Sequence, residues 1–161
     1  MSSANLFVDV ALRGWKANVD RAGKFFGGLS DEELLREVAP GKNRLIYLWG
    51  HLASTHDAML PMLGLGERLH PELDALFVKN PDKALSAPPT GAELKQIWDE
   101  IDAALTAGFA KLTAEQWLER HTAVSAEDFV KEPHRNKFAL LTGRTVHLAY
   151  HVGQAILAKR A

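Results

Sequence analysis

The chain of 161 residues sets 19 Lys and Arg against 20 Asp and Glu, a net charge of −1, with 47% hydrophobic residues and no cysteine. The near-neutral balance leaves no basic footprint for nucleic acid, and the lack of cysteine excludes disulfides, thiolate metal ligands and a catalytic thiol of the protein's own. One domain over residues 1–161 is expected; it would bury roughly 70% of its unfolded surface without needing a metal to fold, so any metal serves function.

The first helix is expected over residues 5–26, where Leu6, Val10, Trp15, Val19, Ala22 and Phe26 recur at helical spacing before Gly27-Gly28 stops it. A short helix opens at Ser30, with Glu33 completing a capping box, and ends before Pro40-Gly41. The second long helix covers about 43–63, with Leu45, Leu48, Leu52, Thr55, Met59 and Met62 inward and Pro61 and Gly64 limiting its end. From 64 to 89 the helical period breaks around Pro71, Pro81, Pro88 and Pro89. The third helix starts at a second capping box, Thr90 to Glu93, and carries Leu94, Ile97, Ile101, Leu105 and Phe109 inward to about Lys111. A short turn of helix after Thr113, capped with Gln116, leads into an irregular stretch, 120–135. The fourth long helix spans about 136–159, with Phe138, Leu141, Leu148, Val152 and Ile156 inward.

The fold class is therefore all-α, a four-helix bundle with short extra helices. Antiparallel neighbours need only about two to eight connecting residues, whereas the second and third long helices are separated by about 26. That crossover lets them run in the same direction, giving an up-down-down-up topology. The opening residues have no basic start leading into an apolar core, and no run approaches about 18 apolar residues. The expected location is the cytoplasm, with no membrane partner.

Chemistry concentrates in the histidines. His147 and His151 lie four apart on the last helix, one turn above one another on one face, and both rings can turn a nitrogen to one ion. Spacing alone favours reading them as satisfied or partly exposed histidines over ligands, and His51 as a histidine at the core's edge. His56, about 140° round the helix from His51, is expected at the surface and outside any shared site. His70, His121 and His134 fall in irregular segments and read as solvated. Arg144 and Gln154 flank the face of His147 and His151 and are candidates for substrate or cofactor contact, set against an ordinary solvated arginine and surface glutamine. Tyr47 and Tyr150 read first as packing residues, as do Trp15, Trp49, Trp98 and Trp117.

Two short stretches carry a resemblance: Asn43-Arg44-Leu45 through Gly50-His51-Leu52-Ala53, and residues 145–156, which hold His147, His151 and then Gly153-Gln154. With the long crossover between them, the chain resembles the DinB/YfiT-like superfamily of metalloenzymes. The resemblance implies that His51, His147 and His151 are three ligands of one divalent ion per chain. Three neutral imidazoles suit Zn, Ni or Fe and leave positions free, a pattern of catalytic sites, where an ion can acidify water, polarise a carbonyl or stabilise a thiolate.

The resemblance further implies a small-molecule substrate and a thiol S-transferase type of reaction using an external low-molecular-weight thiol, with metal-dependent hydrolysis or a non-catalytic metal-binding stress or interaction protein as alternatives. A helical bundle without metal is the remaining reading of the residues themselves. A homodimer is expected from the same resemblance and from apolar surface on the first helix. Around an open site, the crossover 64–89 and the stretch 120–135 are expected to supply substrate contacts.

Overall fold

The structure, a computed structural model, describes residues 3–84 and 88–158. Its helices are α1 (Ser3–Phe26), α2 (Asp31–Leu34), α3 (Leu45–Asp57), α4 (Met59–Leu63), α5 (Leu73–Phe77), α6 (Gly91–Phe109), α7 (Ala114–Trp117), α8 (Ala126–Lys131) and α9 (Lys137–Ala158). No β-strand occurs among the described residues, only the isolated bridges Glu37 to Arg44 and Arg120 to Asn136. The fold is all-α. The expected end of the last helix at Lys159, and residues 85–87 of the crossover, lie outside the described residues.

Local chemistry sets the helix ends. At Ser30, Thr90 and Thr113 the hydroxyl accepts from the amide three residues on, and Glu33, Glu93 and Gln116 accept in return from the capping residue's amide. Asn136 opens α9, its Oδ1 accepting from the Ala139 amide at 2.9 Å. Gly64 ends α4 at φ +73°, a left-handed conformation that glycine adopts without Cβ strain.

The second long helix is broken, not continuous: α3 stops at Asp57 and α4 begins at Met59. Pro61 explains this, since it has no N–H for the Asp57 carbonyl and its ring would collide with that group in an unbroken helix. Leu6 and Val10, expected inward, are instead exposed. The α1 stripe meets the bundle only from Trp15 onward, where Trp15, Val19, Ala22 and Phe26 are buried.

Side-chain contacts give the directions of neighbouring helices. Trp15 meets Phe109, and Gly23 meets Trp98, so α1 and α6 run oppositely. His56 meets Trp98 while Leu65, just past α4, meets Gly108, so α3–α4 and α6 run together. The crossover between them is stitched to α3 rather than draped over it. Asp82 accepts from the Arg44 amide at 2.7 Å, capping α3, and pairs with the Arg44 guanidinium. Tyr47 donates to the Asn80 carbonyl at 2.7 Å, and Leu73 and Phe77 of α5 are buried against the bundle. The buried apolar side chains form one cluster that includes all four tryptophans.

Candidate metal centre

Three histidine side chains converge between α3 and α9. His51 Nε2 lies 3.2 Å from His147 Nε2, and His151 Nε2 lies 3.1 Å from the same atom. The three ligand atoms all fall within 4.8 Å of one another, and among the described residues no acidic side chain joins the group. His147 and His151 meet because one helical turn separates them; His51 joins because the middle of α3 packs against the middle of α9.

The outer nitrogens explain why the rings stay turned inward. His51 Nδ1 is 2.9 Å from the Phe77 carbonyl, which can only accept, so that nitrogen carries the proton. His151 Nδ1 is 2.8 Å from Gln154 Oε1, while Gln154 Nε2 donates to the Tyr150 hydroxyl at 3.1 Å. With protons on these Nδ1 atoms, both Nε2 atoms present bare lone pairs to His147 Nε2. His147 can answer at most one of them with its own proton, and its buried Nδ1 has no partner.

Such convergence fits a cation. At metal–nitrogen distances of about 2.0 to 2.1 Å, ligands at tetrahedral or octahedral angles lie about 2.8 to 3.4 Å apart, and both measured spacings fall in that window. The outer hydrogen bonds to a carbonyl and an amide are the kind that orient metal-bound imidazoles. Burial, followed by the charges of His151, His51 and Arg144, pulls the His147 pKa down to about 4. His51 is lowered too, chiefly by burial and against the pull of its bond to Phe77. Lowering of these two pKa values favours neutral His51 and His147, the form a metal requires.

Gly50 matters for the same reason. A Cβ there would sit 2.5 Å from the Phe77 ring, so only glycine admits Phe77 beside α3 and hence its carbonyl to His51. Gly153, by contrast, has open space around it. Gln154 touches His151 and Tyr150, while Arg144 lies one turn before His147 with its Nε buried and unpartnered. Tyr150 is exposed.

His56 is the largest departure from expectation: it is 2% exposed, not a surface residue. It lies between Trp15 and Trp98, with ring centroids 4.6 and 5.0 Å away. The reason is that α3 is enclosed on most of its circumference, by α5 and α2 as well as α6 and α9, so the position 140° from His51 faces protein rather than water. It remains outside the three-histidine group. His70 is partnered by Glu72 and Glu100.

An open cleft of about 450 Å³ adjoins His151, between Val38, Lys42 and Asn43 on one side and Tyr150, Gln154 and Leu157 on the other. Among the described residues neither the crossover nor the stretch 120–135 lines this cleft; what the crossover brings to the histidine group is the Phe77 carbonyl. The sequence did signal the cleft's near wall, through the Pro40-Gly41 break ahead of α3, but not that this turn folds toward α9.

A helical bundle holding three convergent histidines from its second and last long helices is the class of protein defined here. The sequence model of the DinB superfamily matches residues 15–155, and the chain belongs to that superfamily. It is similar in fold to a crystal structure described as the conserved protein of locus from Enterococcus faecalis, with a TM-score of 0.66 and 17% identity over 99% of this chain and 96% of that one. No curated protein matches the chain. Among the described residues no helix is long and apolar enough to cross a membrane.

Proposed function

We propose that residues 1–161 form one domain in which His51, His147 and His151 hold one Zn, Ni or Fe ion, and that the protein catalyses transfer to or from the sulfur of an external low-molecular-weight thiol. The observation that supports this reading is the meeting of three Nε2 atoms whose partners at Phe77 and Gln154 leave their lone pairs facing one another. When bound, the ion supplies a Lewis-acid centre with positions free for substrate. The chain's own part is to fix the rings, to keep His51 and His147 neutral, and to offer the cleft beside His151 to a small molecule. With no cysteine in the chain, the sulfur must come from outside, and the reduced thiol pool of the cytoplasm is the proposed setting.

The test is metal analysis of protein purified without an affinity tag, followed by thiols and electrophiles presented in pairs. About one ion per chain and thiol-dependent consumption of electrophile are expected. His147→Ala should lose most of the ion and the turnover while staying helical, because the core does not depend on the metal. Full occupancy in that variant overturns the ligand assignment. Turnover without thiol would make the protein a hydrolase, and ion without turnover a binding protein.

The proposal includes a homodimer, supported by the exposed apolar side chains Leu6, Phe7 and Val10 on α1 and Val146 and Leu157 on α9. Light scattering should return twice the 17.7 kDa chain mass. A monomer at all concentrations removes that part.

A further inference from the structure

Arg144 holds a charge that no carboxylate among the described residues answers. Its Nε is buried without a hydrogen-bond partner, and burial is the one influence that shifts its pKa, downward. A nearby carboxylate would push the other way, as Asp74 and Asp57 do for Arg68. Yet Arg144 lies one helical turn before His147 on α9, and so on the side of the helix that carries the histidine group. A partly buried guanidinium left unpaired is costly to keep, and its planar fork of donors suits a carboxylate held by two parallel hydrogen bonds.

The histidine group adds to the imbalance. Its three imidazoles are neutral ligands and no Asp or Glu belongs to the cluster, so a divalent ion would keep its full charge beside that of Arg144. Local charge of this size, unneutralised by the protein, draws an anion.

We infer that the site takes a carboxylate-bearing small molecule, its carboxylate held by Arg144 while a donor atom a few bonds away faces His51, His147 and His151. This rests on the metal reading above and names the substrate class for it. Arg144 is then a specificity-determining residue: it selects acids over neutral molecules with the same donor atom.

Cobalt(II) added to the full-length, tag-free protein reports occupancy through its visible absorption, and a sulfur-to-cobalt band in the near ultraviolet reports thiolate binding. The probes are 3-mercaptopropionate and its neutral counterpart 2-mercaptoethanol. The wild-type protein should bind the acid at least about tenfold more tightly, the size expected of one charged hydrogen-bonded contact. Arg144→Gln should erase that preference with cobalt uptake and 2-mercaptoethanol affinity retained. Arg144→Lys preserves the charge, and with it the fold even should the Gln variant not fold; it should keep only part of the preference, since an ammonium lacks the planar fork. Equal affinities in the wild-type protein, a preference that survives in Arg144→Gln, or a full preference in Arg144→Lys overturns the inference and leaves the metal reading standing. Failure of the wild-type protein to take up cobalt overturns both.

Discussion

Helix α3 carries two polar clusters about one turn apart, and they are built on opposite principles. Around Ser54 and Asp57 the network is closed. Arg68 reaches Asp57 at 2.9 Å and Asp74 at 2.6 Å, Ser54 donates to Asp74 at 2.6 Å, and the amides of Leu69 and His70 donate to Asp57 at 2.8 and 3.0 Å. Around His51 the network is open: the outer nitrogens of His51 and His151 are held, while three inner nitrogens share at most one proton among them and Arg144 Nε has no partner among the described residues. A closed network fixes the backbone; an open one keeps its polar atoms for a ligand. The first serves the second, since the crossover that Asp57 anchors through Arg68 continues into Phe77, whose carbonyl holds His51.

The sharpest way to break the comparison is Asp57→Ala. Asp57 is fully buried, and its removal leaves the amides of Leu69 and His70 without their acceptor and Arg68 with Asp74 as its remaining carboxylate. A loss of about 2 to 4 kcal/mol is expected, as for two buried donors left unsatisfied, read as a lower urea midpoint with the slope unchanged. A variant as stable as the parent would show that the closed network does not hold the crossover.

Gly50→Ala strikes where the two clusters join. The new Cβ meets the Phe77 ring, so Phe77 must retreat and take its carbonyl from His51. About 1 to 3 kcal/mol of stability should be lost to overpacking, together with about 10- to 100-fold in metal affinity, the usual effect of losing a partner that orients a ligand. Metal titration separates the two effects: unchanged affinity would mean that Phe77 packs α5 without orienting His51.

How much of this could be read in the sequence follows from the range of each interaction. Capping boxes at Ser30, Thr90 and Thr113 are local, and their partners lie three residues on. The pairing of His147 with His151 is one helical turn. His51 lies 96 residues from His147, and only its family motif, Gly50-His51-Leu52-Ala53, pointed to it. The links of Arg44 to Asp82 and Asp57 to Arg68 span irregular chain and obey no period, so the docking of the crossover onto α3 has no signal in the sequence. His56 went astray through an assumption of one buried stripe. Buried positions of α3 run almost continuously from Leu45 to Asp57, and a helix apolar on most sides is enclosed.

That misplacement makes a pH prediction. Burial pushes the His56 pKa down to about 3, against about 6.5 for an unfolded histidine. The unfolded chain then binds more protons in between, so the contribution of His56 is fully present above pH 6.5 and is lost progressively as pH falls toward 3. For metal-free protein, His56→Phe keeps an aromatic ring between Trp15 and Trp98 and should make this acid limb shallower, by up to one proton's worth of slope. An identical limb in urea midpoints measured from pH 7 to 4 would place His56 in contact with water.

The smallest effect on stability is expected at Gln154, where the open cluster depends on a side chain at the helix surface. Gln154→Leu removes the acceptor of His151 Nδ1 but takes no apolar group from the core. Stability should stay within about 0.5 kcal/mol, as for most surface changes, while metal affinity drops about tenfold or more, because His151 is freed to rotate and to change tautomer. Gln154→Glu restores an acceptor, now charged, and should recover the affinity. The pair of variants decides between two roles for this residue. If Leu weakens metal binding and Glu recovers it, Gln154 acts through His151. If neither changes it and only the binding of a small molecule in the adjoining cleft suffers, the glutamine amide reaches substrate directly and His151 is oriented by packing alone.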